Sequence, residues 1–253
     1  MRLIACALML VTLHCQAELE PLRFSIADSW AMPMVQIEND QPTQGIMLDM
    51  MLSLARHVGQ PAEFIVLARA RLQNALRHRE VDIRCFVAKS WVADMADDYI
   101  WSLPLLELRD VLVSPRNVME PVNPHALARQ PIGTVLGYIY PSLQPMFDAG
   151  QLQRNDVRSQ EQVLHMLRAG RFDYAVSNQL TLDWFNQHLK PEQHLHAVAV
   201  LQEHALGCLI RNDPKLPVQT ILGALAQMKN SGEIEQIILR YTSPADFATQ
   251  PSD

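Results

Sequence analysis

Two short segments of the sequence hold side chains that are suited to binding a small molecule. Phe86–Trp91 places two aromatic rings around Lys89 and Ser90, and Ser177–Gln179 centres on Asn178. An aromatic face binds flat or apolar groups, a lysine ammonium is a point charge for an anion, and an asparagine amide both donates and accepts hydrogen bonds. The sequence shows no pattern of a nucleophile with a histidine and an acid, so binding is favoured over catalysis.

Each segment follows one copy of a pattern that occurs twice, ninety-one positions apart. Leu76–Asp82 leads into the apolar run Ile83–Val87, and Leu167–Asp173 leads into Tyr174–Asn178. Each copy is typical of a last helical turn, a tight basic turn and an aspartate that opens a short strand. A strand that follows a helix is half of a βαβ unit, and such units form mostly parallel sheets covered by helices. Two units predict two α/β lobes, and a chance repeat of a loose pattern is the alternative.

Local patterns predict several elements that hold these segments. Apolar spacing predicts a helix over Ile46–Val58, which the following glycine ends. Ser159–Gln162 is a capping box at the start of the second repeat helix. Ala197–Val200 and Leu206–Ile210 are predicted as two further strands. Because ligands of open α/β sheets collect outside the carboxyl ends of the strands, we expect the two segments to line a cleft between the lobes.

The bulk composition excludes several classes of protein. A chain of 253 residues fits one large domain or two of typical size. With 49% hydrophobic and 19% charged residues it is typical of a globular rather than a disordered protein. A net charge of −6 without a cluster of lysine and arginine argues against nucleic-acid binding. The histidines and cysteines lack metal-ligand spacing, so neither a metal site nor a cofactor is predicted.

The N-terminus is typical of a secretory signal peptide, residues 1–17. A basic residue precedes the apolar run Leu3–Leu13, and small residues stand at the −3 and −1 positions of a cleavage site after Ala17. The run is too short to span a bilayer, so we expect an exported, periplasmic protein whose mature chain has no membrane span. Cleavage leaves Cys85 and Cys208, which either form a disulfide in an oxidising compartment or stay as two buried thiols.

A series of short motifs runs in order from residue 22 to residue 242. They are an opening strand with an aromatic residue and a proline (Leu22–Ile26, Trp30, Pro33), a Gly-φ-x-x-Asp helix start (Gly45–Asp49), an Arg-x4-Leu-x5-Asp helix and strand (Arg71–Asp82), an aromatic-Ser-x-Pro segment (Trp101–Pro104), a φ-Gly-x-x-x-Gly strand (Ile132–Gly137), a Leu-x-x-Gly-x-x-Asp turn (Leu167–Asp173) and a closing Gly-φ-φ-φ-x-x-Asp (Gly207–Asp213). In this order the chain resembles the bacterial extracellular solute-binding proteins of family 3, which include the amino-acid receptors of ABC importers.

The resemblance implies the type II periplasmic binding protein fold, two α/β lobes that are joined by two hinge strands. The first lobe would comprise residues 18–108 and 206–253, and the second residues 109–205. Hinge closure is a common mode of motion, and such a protein closes as a monomer around a solute that it passes to a membrane permease. In this fold the returning hinge strand lies beside the first repeat strand, so the resemblance also implies a disulfide between Cys85 and Cys208.

The chain departs from that family at residues that bind an amino acid. The family's amino-acid binders carry Thr-x-x-Arg after the first repeat strand, where the arginine binds the ligand carboxylate through two hydrogen bonds. The equivalent stretch, Lys89–Met95, has no arginine. Tyr138 stands where the family has threonine or serine, and Asn178 stands where an acid pairs with the ligand ammonium. These departures weaken amino-acid transport as the function without weakening the fold.

Aromatic and polar residues are the predicted replacements. The aromatic candidates, which suit a flat or apolar solute, are Trp30, Phe86, Trp91, Tyr138 and Tyr140, and the polar candidates are Lys89, Ser90 and Asn178. Ordinary packing of the rings and a solvated Lys89 are the alternatives. Arg84 stands inside an apolar strand, where burial requires a partner. We expect it either to bind an anion in the cleft or to pair with an acid such as Asp82 or Glu80.

These observations favour a periplasmic solute-binding protein that captures a small organic solute, amino-acid-like or aromatic and anionic, for an ABC importer. A sensory or partner-docking protein of the same fold is the alternative. A dehydratase-like enzyme on this scaffold is a further alternative, which would require a positioned acid or base in the cleft.

Overall fold

A computed structural model describes residues 19–92, 98–116 and 121–243. The predicted signal peptide lies outside these residues, as does much of the Lys89–Met95 stretch. Within the described ranges, no helix is both long enough and apolar enough to cross a membrane.

Strands and helices alternate along the chain. The strands are β1 (Leu22–Ala27), β2 (Gln36–Glu38), β3 (Gln41–Gln44), β4 (Ala62–Leu67), β5 (Ile83–Val87), β6 (Tyr99–Trp101), β7 (Leu106–Ser114), β8 (Gln130–Val135), β9 (Leu152–Val157), β10 (Tyr174–Asn178) and β11 (His196–Arg211). The α-helices are α1 (Ile46–Val58), α2 (Leu72–Arg77), α3 (Gln144–Asp148), α4 (Gln160–Arg168), α5 (Gln179–Gln187), α6 (Val218–Asn230) and α7 (Glu233–Thr242). Both repeats have the predicted form, since α2 leads into β5 and α4 leads into β10.

Nine of these strands form one continuous sheet in the order β4-β1-β5-β11-β7-β10-β8-β9, with β6 also paired to β11, whereas β2 and β3 form a separate two-stranded sheet. Pairing is parallel within β4-β1-β5 and within β10-β8-β9. The long strands β7 and β11 join these two parts and pair antiparallel with their neighbours. The prediction of two separate strands in the last third was wrong, because β11 is one strand of 16 residues. Register shifts along its pairing with β7 bend it without ending it.

Each of the two long strands, β7 and β11, contributes side chains to more than one apolar core. Leu108 on β7 packs with β1 and α1, whereas Val111 on the same strand packs with α4 and α5. On β11, Cys208 belongs to the first of these cores and Val198 to a core with α3 and β9. We call the part with β1, β4, β5, α1, α2, α6 and α7 the first lobe, and the part with β8–β10 and α3–α5 the second lobe. The residue boundaries 108/109 and 205/206 stay a prediction.

Two helix ends have the predicted local chemistry. Gly59 follows α1 with a φ of 77°, a left-handed conformation that glycine adopts without the steric penalty of a β-carbon. At α4, the Ser159 hydroxyl accepts a hydrogen bond from the Gln162 N–H at 3.2 Å, which confirms the predicted cap. The Gln162 side chain reaches back to the Arg158 N–H at 3.1 Å rather than to that of Ser159.

Gly133→Ala is expected to lower the free energy of unfolding by about 1–3 kcal/mol. A β-carbon on Gly133 in β8 would stand 2.3 Å from two ring atoms of Phe172, and that ring is buried in the second-lobe core. Gly223→Ala in α6 is the matched control, because a β-carbon there meets nothing within 4 Å. Helix propensity predicts that the control gains about 0.5–1 kcal/mol. Denaturant unfolding measures both, and effects of the same sign would contradict the packing argument.

Candidate functional site

A cavity of about 40 Å³ lies between the two lobes, at the carboxyl ends of β5 and β10. In the first lobe, the lining residues belong to the β1–β2 loop, the turn after β4, strand β5 and the turn after β5. In the second lobe, they belong to the turn after β8 and to the starts of α4 and α5. The lining residues are Trp30, Ala31, Met34, Arg69, Leu72, Arg84, Phe86, Trp91, Leu108, Asp110, Tyr138, Ile139, Tyr140, Gln160, Asn178 and Thr181. The two predicted rims therefore face each other.

The structure brings most of the predicted site residues to this cavity. Those that line it are Trp30, Arg84, Phe86, Trp91, Tyr138, Tyr140 and Asn178. Lys89 and Ser90 are exposed and line a separate pocket of about 340 Å³ beside Trp101. The physical reason is a 3₁₀ turn at Lys89–Trp91, which directs Trp91 to the cavity and the two residues before it to solvent. The structure therefore does not bring Lys89 and Ser90 to this cavity, and their part in binding stays a prediction.

Two of the lining residues use their polar atoms within the fold. The Asn178 side chain accepts a hydrogen bond from the Thr181 N–H at 2.9 Å and donates one to the Thr181 hydroxyl at 3.0 Å, so it caps α5. The Tyr140 hydroxyl accepts from the Val135 N–H at 3.0 Å, and burial raises the pKa of Tyr140. The fold therefore already engages the Asn178 amide, the polar group that was expected to bind the solute, and the oxygen of Tyr140.

The first lobe supplies an aromatic wall. The Trp30 ring stands edge-on to Phe86 with centroids 5.3 Å apart, and Phe86 stands edge-on to Trp91 at 6.5 Å. Phe86 has a φ of 59°, unusual for a residue with a bulky side chain, opposite a register shift between Gly207 and Cys208. Such bulges redirect side chains and occur often beside functional sites.

Arg84 lies in the floor of the cavity and is only 3% exposed. Its predicted acidic partners are engaged elsewhere: Asp82 binds Arg23 at 2.8 Å, and Glu80 faces Arg71 at 3.7 Å. No carboxylate of the described residues forms an ion pair with Arg84. The alternative that paired it with Asp82 or Glu80 was therefore wrong.

Arg69 is a second cavity arginine, which the sequence analysis missed. It follows the carboxyl end of β4, so the same strand-end rule that selected Phe86–Trp91 would have found it. Its guanidinium carbon lies 5.6 Å from the centre of the Tyr138 ring on the second lobe. Like Arg84, it forms no ion pair with a carboxylate in the part of the chain that the structure describes.

The two arginines place unbalanced positive charge in a desolvated site. Burial lowers the pKa of Arg84 to about 9, and repulsion from Arg69 acts in the same direction. Burial likewise lowers the pKa of Arg69, against the opposing influence of Tyr138 and Tyr140. Both groups stay protonated at neutral pH, and a bound anion would stabilise both.

Asp110 is the acidic residue among those that line the cavity. Its Oδ2 lies 3.0 Å from Nε2 of His204 on β11, and the His204 ring packs edge-on against Trp91 at 4.9 Å. The charge of Asp110 raises the pKa of Tyr138 and of Tyr140, in addition to the larger effect of burial.

The lobes contact each other directly beside the cavity. The Ser29 hydroxyl donates to the Tyr138 hydroxyl at 3.3 Å, and the Gln160 N–H donates to the Ser29 carbonyl at 3.2 Å. The Gln160 side chain is 5% exposed, and its Oε1 accepts no hydrogen bond within the described residues. Trp91 Nε1 is a buried donor that likewise has no partner among them. Buried polar atoms without partners are uncommon, and a molecule bound in the cavity would supply partners for these two.

Below the floor, Cys85 and Cys208 form a disulfide between β5 and β11, with their Cα atoms 3.9 Å apart. Cys85 lies between the two cavity residues Arg84 and Phe86, so the covalent bond anchors that part of the floor. No group of three metal-binding side chains occurs within the ranges that the structure covers.

No protein-family model matches the sequence, and no curated protein matches it either. Solved structures do match. A histidine kinase sensor domain with similarity to periplasmic binding proteins is 18% identical, with a TM-score of 0.72 over 89% of this chain and 97% of that one. An ancestral arginine-binding protein bound to arginine is 16% identical, with a TM-score of 0.71 over 87% of this chain and 97% of that one. The chain has the type II periplasmic binding protein fold.

The ligand-binding core of GluR0 from Nostoc punctiforme, in complex with L-glutamate, has this periplasmic binding protein fold as well. It is 16% identical to the chain, with a TM-score of 0.68 over 89% of this chain and all of that one. These likenesses confirm the predicted fold. At such low identity they show the fold alone, so the nature of any ligand must be argued from the cavity.

Proposed function

We propose that this chain is a solute-binding protein that captures a small organic anion with a flat or apolar body in the cavity between its lobes. The observation that carries the proposal is the pair Arg69 and Arg84 at the end of an aromatic wall: Arg84 is buried, Arg69 is partly exposed, and neither has a carboxylate partner in the described residues. A buried charge is stable only when it is paired, and an anion would provide that pair. The rings of Trp30, Phe86 and Trp91 would cover the apolar part of the solute.

The proposal also explains how an anion is held without the Thr-x-x-Arg arginine. Arg84 lies within β5 and Arg69 lies in the turn after β4. The first lobe therefore supplies two positive charges to the cavity from positions that differ from that of the family's arginine. Tyr138 on the second lobe covers Arg69. A solute between the lobes would therefore contact both, which is the requirement for coupling binding to closure.

We further propose that the protein acts in the periplasm as the receptor of an ABC importer, after export through the signal peptide. The alternative is a sensory role on the same fold, favoured by the likeness to a histidine kinase sensor domain. Both roles require the same solute site and neither requires catalysis. A gene for a permease and an ATPase beside this one would favour transport, whereas a kinase or cyclase gene would favour sensing.

Thermal unfolding with a panel of aromatic and aliphatic acids, amino acids and neutral analogues is the direct test. An anion present at roughly a hundred times its dissociation constant should add about 2.7 kcal/mol to the free energy of unfolding. Arg84→Gln should abolish most of that gain, because it removes the buried charge. Arg109→Gln is the matched control, since Arg109 is an exposed arginine on β7 that pairs with Glu203 at 2.9 Å. Stabilisation by neutral analogues alone, or by no member of the panel, would refute the proposed function.

A further inference from the structure

We propose that the group bound between Arg69 and Arg84 carries two negative charges, as a phosphate monoester or a phosphonate does. This inference rests on the proposed function and goes beyond it by naming the chemical class of the charged group. It makes Arg69 and Arg84 jointly responsible for selecting a dianion over a singly charged acid.

The first argument is the balance of charge. Arg69 and Arg84 both line the cavity, and Asp110 is the acidic residue of the lining. The Asp110 carboxylate lies within 3.0 Å of Nε2 of His204, so it has a partner of its own on β11. A monoanion would leave one of the two cavity cations without a counter-charge, whereas a dianion neutralises both.

The second argument is that contacts with neighbouring residues hold both arginines at the cavity. Arg84 is 3% exposed on a strand that the neighbouring Cys85 ties to β11. Arg69 is covered by the Tyr138 ring, which is itself bound to Ser29. Two fixed guanidinium groups present more donors than the two oxygens of one carboxylate can accept, and a phosphoryl group offers three acceptor oxygens.

The third argument is the size of the cavity. With the lobes in contact it measures about 40 Å³. A single water requires roughly 10–15 Å³ on this scale, so the space suits a compact head group of a few heavy atoms. The apolar body of the solute would then lie along the aromatic wall, where Trp30 and Phe86 meet the second lobe.

Titration calorimetry with phenyl phosphate and benzenesulfonate separates charge from shape, because both are tetrahedral anions on a phenyl ring. At about pH 7.5 a phosphate monoester is mostly dianionic, its second pKa being about 6, while the sulfonate has one charge. We expect phenyl phosphate to bind roughly tenfold tighter or better. The preference should shrink towards about pH 5.5, as the phosphate gains a proton and the sulfonate does not. Inorganic phosphate should bind weakly at the same site and compete with phenyl phosphate.

Variants test the assignment to the two arginines. Arg69→Gln should bring the two affinities close together, and Arg69→Lys should restore part of the preference because it restores the charge. Arg109→Gln should leave the preference unchanged. Since Arg69 lies in a surface turn, thermal unfolding of each variant without ligand serves to show that the fold is intact.

The outcomes distinguish this inference from the proposed function. Equal affinity for the two probes, or a preference that survives Arg69→Gln, overturns the dianion and leaves a monoanion site. Binding of carboxylic acids without binding of phenyl phosphate or inorganic phosphate does the same. Failure of every anion to bind overturns both proposals.

Discussion

Asp82→Asn is expected to lower the free energy of unfolding by about 3–5 kcal/mol, because it removes a buried carboxylate that is paired with two arginines. The Asp82 side chain is 3% exposed and binds Arg23 of β1 at 2.8 Å and Arg211 of β11 at 2.5 Å. It therefore ties three neighbouring strands together. Because Asp82 already pairs with Arg23 and Arg211, it does not neutralise Arg84.

The pH dependence of stability should follow from the same cluster. Burial raises the pKa of Asp82, but hydrogen bonds from Arg23 and Arg211 outweigh burial, and the pKa is lowered overall. A carboxyl with a lowered folded pKa contributes stability above its unfolded pKa of about 3.9 and loses it as the pH falls through the folded value. The wild type should lose this contribution in acid, whereas Asp82→Asn should show less of that acid dependence.

Asp173→Asn is the matched control, because Asp173 occupies the same place in the second repeat. Its side chain is 61% exposed and pairs with the exposed Arg116 at 2.9 Å. An exposed pair of this kind contributes about 0–1 kcal/mol. Urea unfolding of both variants at neutral pH measures the difference. Similar losses for the two aspartates would contradict the assignment of Asp82 to a buried ion cluster.

Replacing Cys85 and Cys208 together with alanine is expected to lower the free energy of unfolding by about 4–5 kcal/mol. The disulfide joins residues 123 positions apart, so it removes much of the conformational freedom of the unfolded chain. Both cysteines are almost fully buried, at 3% and 0% exposure. Reductant should therefore act slowly on the folded protein and rapidly once it is unfolded.

The double variant also tests whether the disulfide anchors the cavity floor. Arg84 and Phe86 flank Cys85, so a looser β5 should weaken anion binding in the variant even where it remains folded. Urea unfolding with and without reductant measures stability, and calorimetry under folding conditions measures affinity. An unchanged midpoint of unfolding would show that the bond contributes little to stability. Full affinity in a destabilised variant would show that packing alone holds Arg84 and Phe86.

Local patterns were sufficient for the fold and for the sides of the cleft. Helical and strand periodicity, the two repeats and the order of short motifs all depend on residues close in sequence, and they predicted two α/β lobes. The rule that ligands collect at the carboxyl ends of strands depends on topology alone, and it selected Phe86 and Asn178, which both line the cavity. The same rule applied to β4 would have included Arg69.

Contacts between residues distant in sequence determined which side chains reach the cavity. Asp82 and Asp173 are equivalent in the repeats, yet one is buried because Arg23 and Arg211 lie on neighbouring strands and the other is exposed. A 3₁₀ turn sends Lys89 to solvent, and the cap of α5 uses the Asn178 amide. Arg84 has no acid beside it because Asp82 binds elsewhere. Side-chain direction and burial depend on packing partners that become neighbours once the sheet has formed, and a linear pattern does not contain them.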